Sequence, residues 1–391
     1  MSQLTLLAGS GLTRRVALGE PAATARPTAP LRSRVAYAAA HVVPYAWADN
    51  TPGRPAEIDW DATLAFRRHV YSWGLGVADA MDTAQRNMGL DAAATRELIS
   101  RSAQVAREEG GSLVVGVNTD HVEDEAITLS QVIDAYLEHL HFTEEQGAGP
   151  VLMASRHLAR AATSRADYLR VYAAVLQAAT TPVVLHWLGT AFDPQLAGYF
   201  GSDDWRTASD VLIRVIEENP GKVAGVKMSL LDADAEIAVR ERLPEGVRMF
   251  TGDDFNYVGL IADSGAASAS RTHSDALLGA FAAITPVASA AIQALDAGRP
   301  DEYLRILAPT EALSRQVFAA PTFYYKTGVA FLSWLNGHQA AFQMVGGLHS
   351  ARSLPHLSEI VRLASESGAL ERPGLAAERW HGLLRLNGVD V

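Results

Sequence analysis

Short apolar runs, many of them rich in valine, isoleucine and leucine, alternate along the chain with longer segments of mixed polarity. In the longer segments the apolar residues recur at three- and four-residue intervals, as on one face of a helix. Strands that alternate with amphipathic helices are typical of βα units on a parallel sheet. The predicted strands are residues 35–43, 73–78, 112–118, 150–154, 182–186, 223–227, 247–251 and 266–270.

The segments between these strands carry helix start signals. Asp61, Asp91 and Ser229 each stand just before a periodic segment, where their side chains can cap a helix N-terminus. Eight strand–helix units over about 250 residues match a (β/α)8 or TIM barrel, whereas an open doubly wound sheet usually has fewer strands. We therefore predict an α/β fold of the (β/α)8 type. The predicted helices are residues 62–71, 92–109, 127–145, 165–179, 203–219 and 230–243.

The chain divides into three predicted regions. Residues 1–33 form an extension with a small hairpin and a Pro/Ala-rich loop, residues 34–298 form the barrel, and residues 299–391 form a helical region. The apolar cluster at 323–326 (FYYK) is expected to pack in the core, with the Lys326 amine reaching solvent. Helices of the last region are predicted at 300–319, 323–336, 357–367 and 374–386.

The composition limits the classes of function. The 391 residues carry 33 Lys and Arg against 44 Asp and Glu, and this net charge of −11 argues against a nucleic-acid partner. The absence of cysteine excludes disulfides and thiolate chemistry, and it fits a reducing compartment. No uncharged apolar run reaches the roughly 18 to 20 residues of a membrane span, and the Ala-rich run 276–295 is predicted as a core helix. The N-terminus lacks the features of a signal peptide, so we predict a soluble cytoplasmic protein.

Polar residues gather where the predicted barrel strands end. In a (β/α)8 barrel the reactive groups sit at the carboxyl ends of the strands, so these residues are the candidates for chemistry. Most of them can titrate, which is typical of a catalytic site. They are Asp79, Asp82, Asn118, Asp120, His121, Ser155, Arg156, His186, Lys227, Asp253 and Asp254.

Lys227 ends an apolar run and is followed two residues later by the cap candidate Ser229, which places its amine in the barrel mouth. Removal from water lowers the pKa of a lysine, and the neutral amine can attack a carbonyl to form a Schiff base. The alternative is a structural ion pair with Asp253 or Asp254. The position alone leaves both interpretations open.

Several segments together resemble one family. Residues 223–229 (VAGVKMS) resemble the Schiff-base lysine strand of the dihydrodipicolinate synthase and N-acetylneuraminate lyase superfamily of class I aldolases. Further likenesses follow the family order across residues 34–335, so the chain resembles a divergent dihydrodipicolinate-synthase-like branch. They are 59–64 (DWDATL), 181–186 (TPVVLH), 251–254 (TGDD) and the glycine-containing 264–270 (SGAASAS), which is similar to strand eight of the family.

The chain differs from the family in the segments that contact the substrate there. His186 stands where the family has a proton-relay tyrosine, and an imidazole can also move protons. The strand-two loop that binds a 2-oxo acid carboxylate in the family is replaced by 76–83 (GVADAMDT), in which only Thr83 matches. Two carboxylates there would repel an anionic substrate by about 1–4 kcal/mol at 4 Å. The strand-four tyrosines are absent too, and Arg156 in that segment is expected at the surface.

We therefore predict a Schiff-base-forming class I lyase, an aldolase that cleaves or forms a C–C bond. Lys227 condenses with a ketone and His186 moves the hydroxyl proton. The carboxylate-lined mouth favours a polyhydroxylated keto sugar or sugar acid, because carboxylates accept hydrogen bonds from hydroxyls. The resemblance implies no organic cofactor and a homodimer or homotetramer. The predicted substrate-binding residues are Asp82, Thr83, Asn118, Gly252 and Asp253.

Two other functions remain open from the sequence. Asp79, Asp120 and His121 offer oxygen and imidazole ligands, so a divalent-metal lyase or isomerase on the same barrel is one alternative. No His-Glu-x-x-His spacing supports it, and Asp120 can instead pair with Arg86. A homologue that has lost catalysis and only binds a ligand is the other alternative.

Overall fold

A computed structural model describes residues 3–262 and 272–391. Eight parallel strands form a closed barrel in which each strand pairs with the next along the chain, and the last pairs with the first. This confirms the predicted (β/α)8 fold. The strands are the hairpin β1 (Gln3–Leu7) and β2 (Thr13–Ala17), then the barrel strands β3 (Ala36–Ala39), β4 (Gly76–Asp79), β5 (Leu113–Val117), β6 (Gly149–Met153), β7 (Val183–Leu188), β8 (Val223–Ser229), β9 (Arg248–Thr251) and β10 (Asp275–Leu278).

The eighth barrel strand differs from the prediction. Residues 266–270, which were predicted to form it, lie outside the described residues. Instead β10 closes the barrel, and its Ala276 pairs with Thr251 of β9 and Ala36 of β3. The predicted core helix 276–295 was wrong at its start, because a short strand buried on both faces has no alternation to distinguish it from a helix.

Helices cover the outside of the barrel. Asp91 caps the second of them as predicted, whereas the first is capped by Asp59 rather than Asp61. Asp232 caps the helix after β8, so Ser229 is the last residue of that strand and not a cap. These helices are α1 (Trp60–Ser72), α2 (Ala92–Glu109), α3 (Leu129–Glu145), α4 (Arg156–Ala161), α5 (Arg165–Ala178), α6 (Trp205–Glu217), α7 (Ala233–Arg242), α8 (Tyr257–Ile261), α9 (Ala280–Ala283) and α10 (Thr285–Asp296).

The C-terminal helices join the N-terminal hairpin to the barrel. The indole of Trp380 donates to the Thr5 carbonyl at 2.7 Å, and the Thr5 amide donates to His381 Nε2 at 3.0 Å. Among the described residues no helix combines the length and apolar character needed to cross a membrane. The C-terminal helices are α11 (Pro300–Leu307), α12 (Pro309–Val317), α13 (Tyr325–Leu335), α14 (Leu354–Glu366) and α15 (Pro373–Leu386).

Two apolar layers hold the barrel together. Inward side chains, among them Met153, Val184 and Phe250, fill its axis. Side chains on the opposite face of each strand, such as Leu185, Val226 and Met228, pack against the helices. Because strand side chains alternate between the two faces, His186 and Lys227 share the inward face with Val184.

Candidate active site

Lys227 lies inside the barrel near the carboxyl end of β8. Its residue register places it beside His186 of β7 and Phe250 of β9. Only 7% of the residue is exposed, and its amine makes no hydrogen bond or ion pair with any residue in the described parts of the chain. Burial lowers the pKa of Lys227, while the charges of Asp82 and Asp254 oppose that shift. Lys227 is therefore a buried amine that is not committed to a structural partner.

Gly252 shapes the space around this amine. A Cβ atom there would lie 2.1 Å from Ser229 Oγ and 3.0 Å from Lys227 Cε. Real Cβ atoms do not approach neighbours so closely, so only glycine lets the segment after β9 pass beside β8. The substrate contact expected at Gly252 stays a prediction, and the structure shows that this residue permits close packing beside Lys227.

His186 is buried next to Lys227. Its Nε2 lies 3.2 Å from Ser229 Oγ, and its Nδ1 is buried without a hydrogen-bond partner among the described residues. Burial, assisted by the charge of Lys227, lowers the pKa of His186 well below its ordinary value. The imidazole is therefore neutral at neutral pH, and one of its nitrogens is free for another molecule.

Asp253 and Asp254 have different environments although they are adjacent. The Asp253 carboxylate accepts hydrogen bonds from the amides of Phe255 and Asn256 and from Asn256 Nδ2, so it caps its own loop. Asp254 accepts one bond, from the Ala280 amide at 2.8 Å. Burial raises the pKa of Asp254 to about 8, against the attraction of Lys227. Of these two carboxylates, Asp254 is the one whose charge acts on Lys227, and the sequence analysis had named Asp253 as the substrate ligand.

Asp82 and Thr83 follow β4 and face the C-terminal region. Thr83 Oγ1 lies 2.8 Å from the hydroxyl of Tyr325, at the start of α13, and the Tyr325 ring stacks on Phe318. Asp82 is partly exposed, and its charge acts on Lys227, Tyr325 and the neighbouring lysine of α13. The charge of Asp82 thus reaches Lys227, while Thr83 connects the same loop to α13.

The opposite side of the mouth contains paired charges. Asp79 accepts two hydrogen bonds from Arg67, at 2.8 and 3.1 Å, and neither side chain is exposed. Asp120 likewise binds Arg86 through both of its oxygens. Asn118 accepts from the Thr119 amide, so its side-chain oxygen is used locally. These carboxylates neutralise buried arginines.

The alternative metal site is not supported by this geometry. Asp79 is unsuited to bind a cation, because both of its oxygens already bind Arg67. Asp120 and His121 do lie near His139, with ligand atoms within 4.8 Å of one another. The Arg86 guanidinium on Asp120 would repel a metal ion there.

Comparison with known proteins gives a family without an assigned reaction. Residues 4–389 match the family described as "Protein of unknown function (DUF993)". The chain belongs to this family. No curated protein matches the sequence.

Solved structures similar to this family member are dihydrodipicolinate synthases. The 4-hydroxy-tetrahydrodipicolinate synthase of Methylacidiphilum fumariolicum SolV has a TM-score of 0.62 at 15% identity, over 89% of this chain and 99% of that chain. The dihydrodipicolinate synthase of Bacteroides thetaiotaomicron has a TM-score of 0.60 at 14% identity, over 83% and 97%. The dihydrodipicolinate synthase of Aquifex aeolicus has a TM-score of 0.60 at 12% identity, over 91% of this chain and 98% of that chain. These likenesses confirm the resemblance at the level of the fold.

Sequence reasoning missed two residues that this family member adds to the mouth from α13. Tyr325 binds Thr83, and Lys326 is only 3% exposed, so the expectation that its amine reaches solvent was wrong. Its Nζ donates to the Phe323 carbonyl at 3.2 Å and lies 4.6 Å from the centroid of the Tyr325 ring. The available signal was that Lys326 is the only charged residue in the apolar helix α13.

Proposed function

We propose that the protein is a lyase or aldolase of the dihydrodipicolinate synthase superfamily that forms a Schiff base between Lys227 and a small keto compound. The observation that carries the proposal is an amine inside a closed barrel, at the reactive end, with no ion pair or hydrogen bond to the described residues. A structural lysine in the same place would be expected to have a carboxylate within contact distance. Burial also favours the neutral amine, which is the nucleophile.

The reaction would follow the ordinary chemistry of an amine catalyst. The neutral Lys227 amine adds to the carbonyl carbon, the oxygen takes up protons and leaves as water, and an iminium ion remains. The next C–C bond then breaks, its electron pair enters the iminium, and a base removes the hydroxyl proton as the second carbonyl forms. Protonation of the enamine and hydrolysis of the iminium return the lysine.

Asp254 and His186 are the proposed proton carriers. A carboxyl group whose pKa is near the working pH can both donate and accept a proton, and the value of about 8 for Asp254 meets this condition. His186 is a weaker base because its pKa is strongly lowered. Its free Nδ1 and its contact with Ser229 suit a neutral relay that passes a proton from one nitrogen to the other.

The proposed substrate is a polyhydroxylated keto compound, such as a keto sugar or sugar acid. In this proposal Asp82 and Thr83, which follow β4, bind substrate hydroxyls, and the amide nitrogen of Asn118 remains available as a donor. The proposal includes the homodimer or homotetramer and the cytoplasmic location that the sequence analysis predicts. Light scattering of the purified protein measures the oligomer size directly.

Reductive trapping tests the proposed Schiff base with little ambiguity, because the chain has only three lysines, Lys222, Lys227 and Lys326. The protein is treated with sodium cyanoborohydride and a panel of ketones that contains pyruvate, dihydroxyacetone and keto sugars, and the adduct is located by peptide mass spectrometry. We expect one adduct on Lys227, absent from Lys227→Ala and unchanged in Lys222→Arg, whose lysine lies outside the barrel and binds backbone carbonyls. An adduct on Lys326 alone, or no adduct with any ketone, would contradict the proposal.

A further inference from the structure

Lys326 is the second buried lysine of the mouth, and it has unused hydrogen-bonding capacity. An ammonium group has three donors, and the structure shows one hydrogen bond, to the Phe323 carbonyl. None of the described carboxylates lies within ion-pair distance of its amine. It also stands in the first turn of α13, where the helix dipole disfavours a cation. The Phe323 carbonyl and the face of the Tyr325 ring stabilise a positive charge on Lys326, but two of its three donors make no hydrogen bond to the described residues.

The groups around Lys326 come from three different strand ends. Its charge interacts with Asp82 after β4, Arg156 after β6 and Asp193 after β7. The N-terminus of α13 is fixed at the mouth by the hydrogen bond between Tyr325 and Thr83, which follows β4. Lys326 is therefore placed where a molecule bound at Lys227 would meet α13.

The acidic groups that act on Lys326 also act on other cations. Arg156 Nε donates to Asp193 at 2.6 Å, so the Asp193 charge is already matched. Asp82 is the acidic group whose attraction is common to Lys227 and Lys326. Lys326 thus has no carboxylate to itself among the described residues, and an anionic ligand can supply one.

The repulsion that we expected from the carboxylates after β4 is also smaller than the sequence predicted. Asp79 is neutralised by Arg67, and Asp82 alone remains to face the mouth. Arg156, which was expected at the surface, lines a cleft of about 240 Å³ together with Asn118 and His157. That cleft also contains Asp120, Glu123 and Glu125, so the smaller repulsion comes from the pairing of Asp79 with Arg67.

We propose that Lys326 binds an anionic group of the keto substrate, a carboxylate or a phosphate, while Lys227 condenses with its carbonyl. The substrate then belongs to the acidic members of the proposed class, sugar acids or phosphorylated keto compounds, rather than to neutral keto sugars. This inference rests on the proposed function for the role of Lys227. The binding of the anion by Lys326 is measurable without it.

The first experiment measures anion binding alone. Inorganic phosphate and malonate are added to the protein, and the thermal melting temperature is recorded for the wild type, Lys326→Met and Lys222→Met. We expect at least one anion to raise the melting temperature of the wild type and of Lys222→Met, and to have a much smaller effect on Lys326→Met. Equal shifts in all three proteins, or no shift in the wild type, would overturn the proposal whatever happens at Lys227.

The second experiment uses matched ketones and identifies the anion. Trapping at Lys227 is compared for dihydroxyacetone phosphate against dihydroxyacetone, and for pyruvate against hydroxyacetone. We expect the wild type to favour the anionic member of one pair, and Lys326→Met to lose about 10- to 100-fold of that preference, as for a hydrogen bond to a charged group. Lys326→Arg, which keeps the charge, should retain part of it. An unchanged preference in Lys326→Met would contradict the role of Lys326. Absence of every adduct in the wild type would contradict only the proposal that Lys227 forms a Schiff base.

Discussion

The two sides of the barrel mouth hold similar residues in opposite states. At the ends of β4 and β5, Asp79 and Asp120 are each bound through both oxygens by a buried arginine. At the ends of β8 and β9, Lys227 and Asp254 are equally buried, but no described residue forms an ion pair with either of them. Burial of a charged residue is therefore a poor guide to function by itself. A buried charge that is matched within the protein stabilises the fold, and an unmatched one is available to a substrate.

The largest effect on stability should come from the ends of β4 and β5, where each carboxylate binds a buried arginine. Asp79→Asn leaves the fully buried Arg67 guanidinium without a counter-charge, and removal of one partner of such a pair costs about 3–5 kcal/mol. Chemical denaturation of the purified variant measures this change in the free energy of unfolding. A loss below about 1 kcal/mol would show that Arg67 does not depend on Asp79, and the contrast between the two sides would fail.

Gly252→Ala should disturb the packing around Lys227, at the ends of β8 and β9, without any change of charge. The new Cβ would displace Ser229 Oγ or the Lys227 side chain, so we expect a loss of about 1–3 kcal/mol in stability, as for overpacked sites. Trapping at Lys227 should slow by at least about tenfold, because each 1.4 kcal/mol changes a rate by that factor. Gly259→Ala is the matched control, since its Cβ meets no atom within 4 Å. Equal trapping rates in Gly252→Ala and Gly259→Ala would show that Gly252 does not affect the position of Lys227.

Asp120→Asn should have a smaller and purely structural effect. Arg86 keeps its hydrogen bonds to the carbonyls of Ala80 and Gly116, and Asp120 is partly reached by solvent, so we expect a loss of about 1–2 kcal/mol. The rate of adduct formation at Lys227 should stay within about twofold of the wild type. A large fall in that rate would show that Asp120 contributes to the active site. A fall that a divalent cation reverses would favour the metal-dependent alternative.

The smallest predicted effect is a shift in pH dependence. Neutral amine is the reactive form, so trapping should rise with pH through the pKa of Lys227, which burial lowers and the Asp254 charge raises. Asp254→Asn removes that negative charge, and the midpoint should therefore move to lower pH, by about half a unit to one unit. Asp253→Asn is the control, because Asp253 caps its own loop. A shift to higher pH, or equal shifts in both variants, would contradict the assigned role of Asp254.

Much of this arrangement is accessible from the sequence, because strand periodicity determines which residues end each strand. The prediction that His186 and Lys227 share the mouth needed only the positions of two strands, and the register of β7 and β8 places these residues side by side. Residue type at those ends predicted a titratable site. It did not reveal which charges are matched.

The missing information was tertiary. The partner of Asp79 is Arg67, in the middle of α1, and no local pattern connects the two. Lys326 has the same helical spacing as a lysine that reaches solvent, and only the packing of α13 over the barrel shows that it is buried. The prediction of the eighth barrel strand was wrong for another reason. Three apolar residues directly before a helix cannot be distinguished by pattern from the helix itself.

The contact between Thr5 and Trp380 has a consequence for the order in which the protein is made. The hairpin leaves the ribosome long before the helix that covers it, and the barrel can close before α13 has been synthesised. Contacts between residues so far apart in sequence also form slowly. In a nascent chain Lys227 would therefore take its place before Lys326, so the anion binding that we propose for Lys326 would be the last property acquired during biosynthesis.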